Sequence, residues 1–364
     1  MRVLFLTKYT ADGPSSRYRV VQFLPFLQQR GIAWDLHALH DEHYLGARYA
    51  GRATSPFYLA RRVGSRIGTL LHARRYDVVF IQKEMFPHAL DLPEWLLARS
   101  GVRTIVDLDD AIHLFYQGAS GWRRPLRDKI PRVLERASLV LAGNRYLESY
   151  ARRFTDRVQF FPTVIDTDRV TAVPPRAAPT PVVGWIGTPE TAPYLQALAP
   201  VLEEVARVTP LSLLVVGADA PAANGVPVRA KAWGEREEVA DLHQMDIGVM
   251  PLSDDAWSQG KCSLKLLQYM SAGVASIASP RGSAPEIVSH GDNAFLDDSP
   301  GEWRDRLIEL VTSPELRRAM SARARARVET DYSLRTWGPR FADAIVAAAG
   351  AERSARSRAR TAHA

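Results

Sequence analysis

The sequence predicts an α/β protein of two doubly wound, Rossmann-like domains facing across a cleft, and three observations predict it. Short, almost continuously apolar runs alternate with helical stretches, which is the pattern of parallel strands covered on both faces. The alternation runs through the chain twice. A proline-rich segment, residues 171–181, separates the two passes as an interdomain linker would. With 364 residues, 46% of them hydrophobic, the chain can fill two cores.

The first pass places strands at residues 3–6, 34–38, 78–81, 104–108, 139–141 and 158–161, with helices such as 18–30 and 93–100 between them. The second places strands at 182–186, 211–216, 247–250, 275–278 and 294–296, with helices at 192–208, 235–244, 264–271 and 300–312. Residues 1–170 are thus expected to form one domain and 182–331 another. A helix over 332–349 carries Pro339, which predicts a kink or break, and is expected to cross back onto the first domain. Residues 350–364 read as a frayed basic tail. Ligands of such sheets bind beyond the carboxyl ends of the strands, so the cleft between the halves is the expected site.

Composition narrows the classes. No run of eighteen uncharged apolar residues occurs, so a membrane span is not expected. The opening MRVLFLTKY meets Lys8, Asp12 and Arg17 too soon for a signal peptide and reads as a buried strand in a cytoplasmic protein. A single cysteine, Cys262, excludes an internal disulfide and a cysteine metal cage. The net charge is +7, yet only six of the 47 basic residues are lysine and no nucleic-acid-binding signature accompanies them. Two arginine clusters stand out: Arg61, Arg62, Arg66, Arg74 and Arg75, and then Arg353, Arg356, Arg358 and Arg360. They read as solvated helix faces and a tail, or as a peripheral contact with an anionic membrane face.

Residues 246–288, DIGVMPLSDDAWSQGKCSLKLLQYMSAGVASIASPRGSAPEIV, are the most informative stretch. A strand ends at Pro251, a polar loop follows, and a helix opens near Ser263 with Lys261 before it and Lys265 in its first turn. A helix N-terminus is already positive through its free N–H groups, so two lysines there are unfavourable unless an anion lies among them. The alternative is a solvated turn that happens to be basic. At the start of the second pass, GWIGTPETAPYL sets Gly187 at a strand end with Thr188 and Thr191 positioned to cap the next helix.

Leu264, Leu267, Met270, Gly273, Ala278, Ser279, Gly282, Pro285, Glu286, Ile287 and Val288 fall in register with a known signature. The segment resembles the retaining GT-B glycosyltransferases of the family 4 group, also called group 1. The resemblance implies a GT-B fold and transfer of a sugar from a UDP- or GDP-sugar to an acceptor it does not identify. It implies retention of configuration, with no metal and no other cofactor. It places the donor diphosphate at Lys261, Cys262, Ser263 and Lys265, the donor ribose at Gln268, and a backbone contact at Gly187 and Thr188. The sequence departs from the family's paired glutamates, which are separated by seven residues: Gly260 and Gln268 occupy their places. Gln268 can still bond ribose hydroxyls, and Asp254 or Asp255 is a candidate to replace the lost carboxylate.

In the first domain, Gly13 lies in the turn after the first strand, with Arg17 and Arg19 just beyond as candidates for phosphate or an anionic acceptor; the alternative is a helix start with exposed arginines. Lys83 and Glu84 follow the third strand. Asp107, Asp109 and Asp110 crowd the end of the fourth, and carboxylates so clustered repel one another unless something cationic joins them. By register with the family, Asp109 takes a catalytic His position and Asp110 the adjoining Asp, and His113 lies one turn on. Asp107 and Asp109 also match the D-x-D metal motif of GT-A enzymes, a reading ranked second because the chain repeats its α/β unit. A non-catalytic nucleotide-sugar-binding protein and a sugar-nucleotide epimerase complete the alternatives. Release of nucleoside diphosphate, or recovery of an isomerised nucleotide-sugar, distinguishes them.

Overall fold

The computed structural model describes residues 1–49, 51–173 and 180–350. The apolar runs form two six-stranded sheets. The first holds β1 (Arg2–Tyr9), β2 (Ala33–His40), β3 (Val78–Gln82), β4 (Arg103–Leu108), β5 (Leu139–Ala142) and β6 (Val158–Phe160), in the order β2-β1-β3-β4-β5-β6. The second holds β7 (Val182–Ile186), β8 (Ser212–Val216), β9 (Val228–Lys231), β10 (Ile247–Met250), β11 (Ala275–Ala278) and β12 (Phe295–Leu296), in the order β12-β11-β10-β7-β8-β9. Every pairing is parallel. Strand order reverses at β1/β3 and again at β7/β10, and the crevices beyond those carboxyl ends are where this topology binds ligands.

The chain divides into two compact units, 1–162 with the segment from Trp337 onward, and 163–336. The first is centred on rings from distant parts of the chain. Phe23 stacks on Phe341 with centroids 4.6 Å apart, Phe5 lies 5.2 Å from Phe80, and Phe161 packs edge-on against Phe23 at 5.5 Å. The second unit packs Trp185, Leu195, Leu202, Ile247, Ile277 and Leu307 into its own core.

Several expectations need amending. The units part between Pro162 and Thr163, not at the proline-rich segment. Residues 163–171 belong to the second unit because its side chains hold their backbone: Arg325 donates to Thr167 O at 2.8 Å, and His243 Nε2 lies 2.7 Å from Thr171 O. Residues 174–179 of the expected linker and 351–364 of the basic tail lie outside the described residues. The expected helix over 18–30 is two short helices, Pro14–Arg19 and Leu24–Gln29, because Pro25 withholds an N–H from any continuous ladder. Pro339 does not break the last helix, which runs unbroken over Leu334–Gly350. Its Gly338 lies flat on Phe26, where a methyl group would come within 2.3 Å of the ring. The edge strand β9, reading VRAK and largely exposed, carries too little apolar pattern to be foreseen. No helix among the described residues is long and apolar enough to cross a membrane.

Candidate functional site

In the first unit the candidate residues gather at the carboxyl ends of β1, β3 and β4. Gln82, the last residue of β3 and fully buried, joins these elements: its Oε1 accepts from Ser16 Oγ at 2.8 Å and Lys8 N at 3.1 Å, and its Nε2 donates to Ser15 Oγ at 2.8 Å. Ser15 in turn donates to Asp109 at 2.6 Å. Gly13 begins the helix that brings these serines in, and its Cα lies so close to Tyr9 that a methyl group would meet the ring carbons within 3 Å.

Lys83 sits in the left-handed region at φ +66°, a strained conformation for a lysine and one that clusters at functional positions. Its ammonium lies 3.2 Å from Asp109 and pairs directly with Asp110. Burial works against its charge, but the two carboxylates outweigh burial and hold the group above its ordinary range. Asp109, Asp110, Lys83 and Ser15 therefore form one cluster, drawn from three segments far apart in sequence.

Five other candidates are engaged inside the fold. Arg19, 2% exposed, donates to both Asp107 oxygens and to Phe161 O at 2.9 Å, so it is a buried structural ion pair and not a free phosphate ligand. Asp107 is thereby removed from any D-x-D metal pair, and burial raises its carboxyl against the pull of Arg19. Glu84 accepts from Tyr116 Oη at 2.6 Å and pairs with buried Lys129, which ties the loop after β3 to the helix Lys129–Arg136. His113 stacks on Tyr150 with ring centroids 3.8 Å apart. Burial and the nearby Arg153 lower it to about 4, so it stays neutral near pH 7. Arg17 is buried with its guanidinium over the Tyr18 ring. Asn144 and Arg145, after β5, cap and brace the helix Arg145–Ala151.

In the second unit the site is built at the carboxyl end of β7 and the start of the helix Leu264–Ser271. Ser263 enters that helix in the left-handed conformation, φ +51°. Its Oγ is buried with no hydrogen-bond partner among the described residues, and the first-turn N–H groups of a helix have no preceding carbonyl to bond. Lys265 stands over the indole of Trp185 at 4.1 Å and donates to Thr191 Oγ1 at 3.2 Å. Burial first, and the neighbouring Lys261 second, lower the Lys265 ammonium to about 7. Lys261 lies over the ring of Trp257 at 4.4 Å. Gly187 completes the surface: a methyl group on it would come within 2.3 Å of Trp185 and 2.7 Å of Lys265 Nζ, so only glycine lets β7 end there. Thr188 N donates to Thr191 Oγ1 at 3.2 Å, holding the turn after Gly187. Gln268 is buried one turn further along, and Cys262 is buried with Sγ 3.9 Å from Gly260 O. Asp254 and Asp255, the suggested substitutes for the missing carboxylate, are both occupied: Asp254 pairs with Arg281 at 2.9 Å, and Asp255 caps the following turn through Ser258 N at 2.7 Å.

Sequence reasoning missed Trp185 and Trp257, the rings under the two lysines, and Lys8 beside Lys83. Lys8 carried a signal, since it is one of only six lysines and stands near the carboxyl end of β1. Trp185 carried none, because a strand tryptophan reads simply as core, and Trp257 read only as part of the polar loop after β10.

Residues 180–313 match the family Glycosyl transferases group 1. N-acetyl-alpha-D-glucosaminyl L-malate synthase of Bacillus anthracis is 35% identical over 102 residues, 27% of this chain, and the match spans only 26% of that protein's length. In fold, sucrose-phosphate synthase from Thermosynechococcus elongatus superposes with a TM-score of 0.69 at 15% identity, over 94% of this chain and 98% of its own. Anabaena HepE in complex with UDP-glucose does so with a TM-score of 0.69 at 16% identity, over 95% and 100%. Residues 180–313 thus resemble the group 1 glycosyl transferases, and the two α/β units have the GT-B fold of the two solved structures.

Proposed function

We propose that this glycosyltransferase moves a sugar from a UDP- or GDP-sugar to an acceptor still to be identified, gripping the donor diphosphate with its second unit. One observation carries the reading: a lysine lowered to about 7 stands at a helix start beside a buried, unpartnered Ser263 hydroxyl. Such a place is built for an anion, which would restore the charge of Lys265 and accept from Ser263 and the first-turn N–H groups. Lys261 adds a second cation, Gly187 and Thr188 bring backbone close, and Gln268 is offered to the ribose. The relative bound to UDP-glucose supports a uridine donor as the first to try.

The same groups would stabilise negative charge as it grows on the departing diphosphate, the form of catalysis that preorganised donors perform best. Retention of configuration and independence of metal go with this reading. In the first unit, Asp109 and Asp110 would face the reacting sugar or acceptor, with Lys83 paired to both carboxylates. Contact with an anionic membrane face belongs to the same proposal. A thermal-shift series with UDP, GDP, ADP and dTDP tests it. One nucleotide should raise the melting temperature of the wild-type chain, and Lys265→Met should abolish the shift. A folded protein that responds to none of the four would refute the donor site.

A further inference from the structure

We propose that the helix Pro56–Leu70 is a surface element by which the protein lies on an anionic lipid face. This deepens the membrane contact named above and is independent of the donor reading, since lipid binding is measured without nucleotide.

The helix is turned the opposite way from an ordinary amphipathic one. Its polar side points inward. Arg66, 1% exposed, donates to Met85 O at 3.1 Å and His37 O at 2.7 Å, and also to Thr7 O. Arg62 donates to Ala38 O at 2.6 Å and Leu39 O at 3.0 Å. These bonds satisfy the carbonyls around the ends of β1 and β2 and fix the helix's rotation. The apolar side is left in water: Phe57 is 82% exposed, Val63 38%, Ile67 48%, and Leu71, just past the last turn, 78%. At about 100° per residue these four fall within a sector of roughly 120°. A stripe of large exposed apolar side chains marks an interaction surface.

Charge says what covers it. From His43 to Tyr76 the sequence holds seven arginines and no Asp or Glu. Beyond the two that point inward, Arg61 on the helix and Arg74 and Arg75 in the turn that follows it are exposed. A second copy of this chain would bring these cations against themselves. A lipid surface with anionic headgroups accepts both features at once, the side chains entering the acyl boundary while the guanidinium groups meet phosphate.

The test is co-sedimentation of the full chain with phosphatidylcholine vesicles, with and without about 30% phosphatidylglycerol, at low and high salt. The expected result is binding to the anionic vesicles alone, and its loss at high salt. Phe57→Ser with Ile67→Ser should abolish binding. Arg74→Gln with Arg75→Gln should weaken it roughly twenty-five-fold, about fivefold per arginine. Val208→Ser, an exposed apolar site in the second unit, should leave it unchanged. Unchanged thermal melting of each variant shows that the fold survives. Failure to bind anionic vesicles, equal binding to neutral ones, or binding indifferent to the helix substitutions would each overturn the proposal. So would a concentration-dependent dimer that the Phe57 and Ile67 substitutions dissolve while vesicle binding stays absent.

Discussion

At the scale of the residue, the same chemistry has opposite meanings depending on what surrounds it. Lys83 and Lys265 are both lysines at strand or helix ends. Two carboxylates keep the first charged, while burial and a neighbouring cation lower the second to about 7, so it is about half protonated at pH 7. A bound diphosphate would raise the Lys265 pKa again, so binding takes up a proton above pH ~7 and affinity falls as pH climbs, by at most about tenfold per pH unit. Calorimetric titration of UDP in buffers of different ionisation enthalpy would detect that proton, and Lys265→Met should remove both the proton uptake and most of the affinity. In the free protein the depressed pKa acts the other way. Between about 7 and the ordinary 10.5 the unfolded chain holds a proton that the folded one lacks, so this group's contribution to stability rises with pH across that window. Arg19 and Asp107 make the complementary case. Asp107→Leu should cost about 3–5 kcal/mol in urea unfolding, because it strands a guanidinium that is 2% exposed.

At the scale of the element, the geometry around the proposed donor site depends on backbone that comes too close for a side chain. Gly282 has φ +59°, and a methyl group there would lie 2.1 Å from Lys261 O, the carbonyl that also accepts from Ser283 N at 2.9 Å. Gly282→Ala should therefore destabilise by at least about 2 kcal/mol and weaken nucleotide binding, since the Lys261 backbone must move. Gly301→Ala is the control. Nothing lies within 4 Å of its methyl position, in the first turn of the helix Pro300–Thr312, and it should be neutral or slightly stabilising. Denaturant midpoints of the two variants, measured beside nucleotide titrations, separate close approach from a general cost of adding a methyl group. The sequence register located Gly282, and the positive φ with the carbonyl contact explains why glycine stands there.

At the scale of the whole molecule, the chain's last described helix completes the first unit's core. Phe341 stacks within 4.6 Å of Phe23 and lies 5.6 Å from both Phe80 and Phe161. Phe341→Ala should cost about 3–5 kcal/mol and act on the unfolding of the first unit. Calorimetry that resolves two transitions would show one displaced and the other in place. Such a dependence on residues more than 300 positions from β1 is not visible in any local window.

The two α/β passes, eleven of the twelve strands among the described residues and the start of the helix Leu264–Ser271 were legible from sequence alone. Apolar periodicity and helix-end chemistry are local properties, carried within a few residues. Which charged residues are available to a ligand was decided only by tertiary structure. Arg19 and Asp107 stand 88 residues apart, and Glu84 and Lys129 45 apart, yet each pair meets inside the fold. The outward-facing apolar stripe of the helix Pro56–Leu70 was hidden for the same reason: its pattern alone implies that the apolar side is buried. Its actual direction is set by Arg66 reaching carbonyls of β1, β2 and the loop after β3. Burial and pairing depend on contacts between distant segments, and those contacts turn a list of candidate residues into a site.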